Sequence, residues 1–197
     1  GAGVLHEEVF SEAFSKTGGA FEMIQLWVNL PAKDKMNSAR YQHLSHEAIP
    51  KLELAKAQGT VRVIAGTYEN QIGPAQTHSP MNVLDVQLTA GTKTVLPVSE
   101  GETTLLYIRS GRLQLNSGEM IEAQQMAVMS NHGEDFEIKA VQDSAFLLLS
   151  GQPLNEPIYG RGYFVMNTFN EVLQAYEDLK QGHFIAPNTK PNATDET

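Results

Sequence analysis

Two side chains near the start of the sequence, His6 and Glu8, have the types and the spacing of paired metal ligands. Residues two apart in a β-strand point to the same side, so these two would project together while Glu7 points away. An imidazole beside a carboxylate suits Fe(II), Mn or Zn, and open coordination positions suit oxygen chemistry. An H-x-E triplet also arises by chance, so the alternative interpretation is a solvated strand end. A metal site requires further ligands.

The other histidines offer no second ligand pair in the sequence. His43 and His46 lie in a polar connection and are expected at the surface, whereas His78 lies in a loop and His132 in a turn. His183 follows a predicted helix end, where a positive charge is favoured by the helix dipole. The sequence has no H-x-H pair, no nucleophile elbow, no phosphate-binding loop and no dinucleotide fingerprint.

The composition predicts an ordinary globular protein with an acidic surface. The 197 residues are 41% hydrophobic and 19% charged, with a net charge of -9 and no cysteine. This length is enough for one large or two small domains. The negative charge, without any basic run, argues against direct binding of nucleic acid. No apolar run is long enough to span a membrane, and no signal peptide is expected. Together with the missing cysteine, this predicts a cytoplasmic location.

Short strands separated by glycine-rich turns dominate the sequence. Strand-like patterns occur first at 3–10 and 21–30, and residues 31–59 form a polar connection. The later candidates recur at regular spacing, which is typical of a β-sandwich or barrel. They are 60–66, 81–88, 93–98, 103–109, 111–115, 119–121, 126–129, 135–140 and 144–150.

One helix is predicted near the end of the sequence. Thr168 and Glu171 have the spacing of a capping box, with Thr168 as the N-cap. Gly182 is the expected C-cap, and Val172, Tyr176 and Leu179 fall on one face. The tail, residues 186–197, is polar and rich in Pro, Asn and Thr, so it is expected to be disordered.

Several motifs resemble those of the pirin family over nearly the whole chain except the tail. They are GVLHEE at 3–8, QLWVNLP at 25–31, GQPLNEP at 151–157 and GYFVMNT at 162–168, with supporting pairs Lys35-Met36, Tyr41-Gln42 and Ile49-Pro50. The resemblance implies an all-β bicupin with an incomplete N-terminal barrel, a complete C-terminal barrel and a short C-terminal helix. The expected boundaries are 1–50 for the barrel remnant and connection, 51–166 for the C-terminal cupin barrel, 167–185 for the helix and 186–197 for the tail.

The resemblance also implies a metal site. The N-terminal barrel of the family holds one metal, usually iron, through an H-x-H pair followed by an H-x-E pair. His6 and Glu8 match the second pair, so the first pair is expected upstream of Gly1, and the chain is expected to be truncated relative to the family. The corresponding stretch of the C-terminal barrel, 94–101, contains no histidine. That barrel is expected to be metal-free.

For function, the resemblance implies a metal-dependent quercetin 2,3-dioxygenase-type enzyme that uses Fe(II) or another divalent metal. Glu8 would be both ligand and candidate base, a flavonol-like molecule the substrate, and the activity impaired by the missing ligands. The alternative is a non-catalytic module that binds a regulatory protein. Unpaired edges of an incomplete barrel would favour self-association. Trp27 is expected in the core or facing the metal cavity. Gln25 and Asn29 share its face, so they either line the cavity or form hydrogen bonds within the barrel.

Overall fold

A computed structural model describes residues 2–116 and 118–185 of the chain. They form two compact units: residues 42–154 make up one, and the residues before 42 and after 154 make up the other. We call these the barrel unit and the terminal unit. The predicted domain boundaries at 50 and 166 stay predictions. The predicted disorder of residues 186–197 lies outside the described residues.

The barrel unit consists of antiparallel strands in two main sheets. The strands are β1 (Lys51–Glu53), β2 (Gly59–Ala65), β3 (Thr67–Tyr68), β4 (Gln71–Ile72), β5 (Met81–Leu88), β6 (Lys93–Pro97), β7 (Thr103–Ser110), β8 (Arg112–Leu115), β9 (Glu119–Glu122), β10 (Met126–Val128), β11 (Asp135–Ala140) and β12 (Ser144–Gly151). The six-stranded sheet has the order β1-β2-β5-β12-β7-β10, and the four-stranded sheet has the order β6-β11-β8-β9. The short strands β3 and β4 pair only with each other.

A single apolar cluster fills the space between the two main sheets, because alternate residues of each strand point inward. In the six-stranded sheet, Leu148 of β12 pairs with Leu84 of β5 on one side and Leu106 of β7 on the other. The core residues of that sheet are Val61, Val63, Leu84, Val86, Leu88, Leu106, Ile108, Phe146 and Leu148. The four-stranded sheet contributes Leu96, Leu113, Leu115, Ile121, Phe136, Ile138 and Ala140.

The strand predictions for residues 60–150 are confirmed, since each of the nine corresponds to an observed strand. Phe146 to Leu149 form an apolar run without alternation, and β12 accordingly lies inside the six-stranded sheet with a strand on each side. Leu147, on the opposite face from Phe146 and Leu148, is also buried. A strand that buries both faces carries no alternating pattern.

The terminal unit contains three helices and one small hairpin. These are α1 (Glu12–Thr17), α2 (Ala32–Lys35), β13 (Tyr159–Arg161), β14 (Phe164–Met166) and α3 (Phe169–Gln181). The predicted caps of α3 are confirmed: the Thr168 hydroxyl accepts from the main-chain N–H of Glu171, and Gly182 adopts the left-handed conformation. Among the described residues, no helix is both long and apolar enough to cross a lipid bilayer.

The prediction of strands at 3–10 and 21–30 is wrong. Both segments are extended in pattern, but neither pairs with a strand in the described part of the chain, and residues 12–17 form α1 instead. A strand is stabilised by ladder hydrogen bonds to a neighbour, so alternation alone does not produce one. The rings of Phe10, Phe14 and Phe21 contact one another, with centroids 5.0–5.8 Å apart.

Candidate metal centre

The structure brings together three polar side chains, two of them from residues 6–8 and the third from residue 25. The Nε2 atom of His6 lies 3.3 Å from Oε1 of Glu8. Gln25 donates a hydrogen bond from its Nε2 atom to the same Glu8 oxygen, at 3.0 Å. An imidazole and a carboxylate are thus adjacent, and a neutral amide supports the carboxylate. Gln25 was predicted to line the metal cavity or to form a hydrogen bond within the barrel, but its bond to Glu8 could not be predicted from spacing.

These side chains are open to solvent. The side chain of His6 is 61% exposed and that of Glu8 is 56% exposed. Trp27 is 65% exposed, so of its two predicted positions, the core and the metal cavity, the core is wrong. An apolar side chain on an unpaired segment has no second layer to pack against, which explains its exposure.

The described residues do not supply a complete donor set for iron. His6 and Glu8 provide two protein donors, and no third His, Cys, Asp or Glu of residues 2–116 and 118–185 joins them in a cluster that could hold a metal ion. Iron sites of the two-histidine, one-carboxylate type already need three protein donors. The roles of His6 and Glu8 as metal ligands therefore stay a prediction.

The remaining histidines lie elsewhere on the surface. The carbonyl oxygen of His46 accepts a hydrogen bond from Nη1 of Arg62 at 2.9 Å, and its ring contacts Nη2 of the same guanidinium. His132 lies 3.3 Å from a carboxylate oxygen of Glu100. His43, His46, His78, His132 and His183 are all exposed. The surface prediction for His43 and His46 is confirmed.

The interior of the barrel unit is lined by apolar side chains. The residues of β6 and β11 that face the core include Leu96, Phe136 and Ile138, each nearly or fully buried. These side chains occupy the inward positions of their strands, and hydrocarbon groups donate no electron pair to a metal. The interior of this unit is therefore built for packing.

Lys35 is a buried ammonium group that sequence reasoning missed. It is only 6% exposed, and its Nζ atom donates to Oδ1 of Asn29 at 2.5 Å and to the carbonyl oxygen of Leu30 at 2.6 Å. Burial lowers the pKa of Lys35 from its usual 10.5, while the nearby charges of Glu156 and Glu171 act in the opposite direction. Lysine is almost never buried without partners, so no periodicity could have indicated this one.

Glu156 ties the C-terminal segment to the N-terminal one. Its Oε2 atom accepts a hydrogen bond from the main-chain N–H of Ala32 at 2.7 Å and another from Nδ2 of Asn167 at 3.0 Å. Nδ2 of Asn167 also lies 3.0 Å from the carbonyl oxygen of Pro157. The motifs at 151–157 and 162–168 therefore meet in one cluster of polar contacts with Ala32, the residue that follows the motif at 25–31. Their shared role in this structure is to hold the terminal unit together.

Comparison with known proteins gives the family. A profile described as "Pirin C-terminal cupin domain" matches residues 83–185. The chain is 46% identical over 184 residues to a Pseudomonas aeruginosa protein named "Putative quercetin 2,3-dioxygenase", covering 93% of this chain and 64% of that one. It is 35% identical to the human protein named "Pirin", covering 91% of this chain and 61% of that one.

A solved structure supports the same assignment. A crystal structure of a quercetin 2,3-dioxygenase from Acinetobacter baumannii matches with a TM-score of 0.78 and 43% identity, covering 80% of this chain and 55% of that one. The chain thus spans less than two thirds of the length of these relatives. The prediction of an all-β cupin fold is confirmed by the antiparallel sheets and by this match. Since the profile covers over half of the sequence, the chain belongs to the pirin family.

Proposed function

We propose that this chain is part of a metal-dependent oxygenase of the quercetin 2,3-dioxygenase type, with Fe(II) as the expected metal and a flavonol-like molecule as the substrate. The observation that carries the proposal is the adjacency of His6 and Glu8, 3.3 Å apart, in a chain similar to proteins of that name. The cytoplasmic location expected from the cysteine-free sequence is part of this proposal.

His6 and Glu8 have distinct proposed roles. His6 supplies one neutral nitrogen donor, and Glu8 supplies an oxygen donor that also accepts the proton of the substrate hydroxyl. A carboxylate is a suitable acceptor there because it is an anion held in place by a neutral donor, Gln25. Since only two protein donors come from the described residues, we expect the isolated chain to bind Fe(II) weakly and to show impaired activity.

The test is metal content after anaerobic loading with Fe(II). At equilibrium with free Fe(II), we expect the unmodified chain and His43→Ala to bind more iron than His6→Ala and Glu8→Ala. His43 is an exposed histidine away from the pair, so its variant controls for nonspecific binding by surface imidazoles. Quercetin-dependent oxygen uptake by the loaded chain then tests the reaction. Equal iron in all four proteins would contradict the assigned ligands.

A second candidate function is a non-catalytic interaction module that binds a regulatory protein or a second copy of the chain. The observation that favours it is the row of large apolar side chains exposed on residues 4–28. They are Val4, Leu5, Val9, Phe10, Phe21, Met23, Ile24, Leu26, Trp27 and Val28, each at least 37% exposed. Apolar surface of this kind marks interaction sites. Light scattering after size exclusion that gives the mass of a single chain would contradict self-association.

A further inference from the structure

The segment that carries His6 is anchored at its start by the end of the chain. Gly3 is buried, with φ at +88°, and a Cβ atom there would lie 1.8 Å from the carbonyl oxygen of Phe184. Only glycine allows this approach. The ring of Phe184 packs on Phe164, which in turn contacts Tyr176 of α3. The position of Gly3 is therefore fixed by α3 and β14.

The segment that carries Gln25 is anchored at its other end. Asn29 and Leu30 both accept hydrogen bonds from the buried ammonium group of Lys35. Lys35 is the last residue of α2, whose first N–H, that of Ala32, donates to Glu156. The chain from Gln25 to Leu30 thus ends on a helix that the C-terminal segment holds.

Between these two anchors the segments lack strand pairing within the described part of the chain, and the rings of Phe10, Phe14 and Phe21 pack on one another. Residues 4–10 and 21–28 form no strand pairing among the residues that the structure describes. Ordering an unsupported residue costs roughly 1–2 kcal/mol in conformational entropy, so the arrangement of such segments depends on their fixed ends. Gly3 lies three residues from His6, and Asn29 lies four residues from Gln25.

We propose that residues 155–184 are a positioning element for the candidate metal centre, with Gly3 and Glu156 as the positioning residues. They hold the two segments so that His6 and Gln25 both reach Glu8. The expected effect on metal binding rests on the proposed function. The arrangement of His6, Glu8 and Gln25 does not depend on it. Groups that orient metal ligands without touching the metal typically change its affinity by about 10–100-fold when removed.

The single tryptophan, Trp27, reports on one of the two segments directly. We expect its steady-state fluorescence anisotropy to fall in Glu156→Ala and in Gly3→Ala, both measured without metal. Gly18→Ala is the control for Gly3→Ala, because Gly18 also has a positive φ, +63°, but open space around its Cβ position. Glu100→Ala is the control for Glu156→Ala, since Glu100 also accepts a hydrogen bond from a main-chain N–H, in the barrel unit.

The second readout is the Kd for Mn(II), measured by electron paramagnetic resonance. We expect it to rise at least about tenfold in Gly3→Ala and Glu156→Ala and to stay unchanged in the two controls. Unchanged Trp27 anisotropy in both variants would overturn the inference, and so would lower anisotropy with unchanged Mn(II) affinity. Glu156→Gln, which keeps an acceptor, is expected to fall between the wild type and Glu156→Ala, so the test survives if Glu156→Ala unfolds.

Failure of the proposed function has a different signature. If the unmodified chain binds no Mn(II), the proposed function fails while the positioning inference is still decided without metal. Its readouts are then the Trp27 anisotropy and the nuclear Overhauser contacts among His6, Glu8 and Gln25. Loss of these contacts in Gly3→Ala but not in Gly18→Ala supports the positioning role, and their persistence overturns it.

Discussion

Gly111 lies so close to Ser144 that a Cβ atom at residue 111 would come within 2.2 Å of the Ser144 hydroxyl oxygen. That hydroxyl accepts from the N–H of Arg112 at 3.0 Å and donates to the carbonyl oxygen of Gln142 at 2.7 Å. The turn between β7 and β8 is therefore packed directly on the start of β12. Both the approach and the φ of +88° require glycine at residue 111.

We predict that Gly111→Ala destabilises the protein more than Gly101→Ala. Both glycines have a left-handed φ, which costs a non-glycine residue about 1–2 kcal/mol, but a Cβ atom at Gly101 would meet nothing within 4 Å. Overpacking against Ser144 should add about 1–3 kcal/mol to the loss at residue 111. Urea denaturation gives both free energies of unfolding. Equal losses in the two variants would contradict this account of the turn.

We predict that the buried Lys35 makes stability depend on pH in the alkaline range. Its pKa is lowered in the folded protein from 10.5, chiefly by burial, so between the lowered pKa and 10.5 the unfolded chain binds more protons. The free energy of unfolding should therefore rise with pH through that window and fall as the pH is lowered through the folded pKa.

The matching variant is Lys35→Met, which should lack this rise. It should also lose about 1–3 kcal/mol at neutral pH, because the oxygens of Asn29 and Leu30 lose their donor. Lys33→Met, at an exposed site on the same helix α2, is the control. Chemical denaturation at several pH values measures both effects. If the free energy of unfolding rose equally with alkaline pH in wild type and Lys35→Met, Lys35 would not be the cause of the rise.

We predict that the Glu100 carboxyl titrates below its usual pKa of 4.5. The main cause is the hydrogen bond from the N–H of Gly133 at 2.6 Å, and the second is the contact with His132 at 3.3 Å. Any stability from this group is present above pH 4.5 and is lost as the pH falls through the lowered pKa. In His132→Gln, carbon-13 NMR should show only part of the lowering removed. A complete return to 4.5 would show that His132 is the main cause.

We predict that Thr168→Ala costs about 1 kcal/mol of stability, because the hydroxyl of Thr168 caps α3 by accepting from the N–H of Glu171. Thr168→Ser keeps the hydroxyl that accepts this hydrogen bond, so its free energy of unfolding should fall by only a small part of that amount. Thermal denaturation, followed by the circular dichroism signal of α-helix, compares the stabilities of the two variants. A similar loss in both variants would place the effect in the methyl group and not in the cap.

The sequence predicted those strands and helices whose own residue pattern matches the way they pack in the fold. The strands between residues 60 and 150 bury alternate side chains on one core, and α3 has its own caps, so both were found. The alternation at 21–30 failed because pairing depends on a distant neighbour, which a local pattern does not contain. The hairpin of β13 and β14 was missed, as were β1, β3 and β4, because two or three residues show no period of their own. The equally short β10 was found from its regular spacing among longer strands.

The candidate site was predictable only in its residue types. The H-x-E spacing placed His6 beside Glu8, and the two side chains do lie together, whereas their roles as ligands stay a prediction. Their support could not be predicted, since Gln25 and Phe184 are brought near by the fold of the terminal unit. The buried Lys35 likewise lies in a segment whose polar composition indicated only a solvent-exposed connection.

The bond between Ala32 and Glu156 joins residues 124 positions apart, and it constrains the order in which the protein can fold. During synthesis residues 2–41 are made before the barrel unit, yet their partners on α3 and β14 are made only after it. The barrel unit contains all of its own strand partners and can close first. Until the C-terminal segment is made, residues 2–41 lack these partners, so aggregation through their apolar side chains is favoured most in that interval.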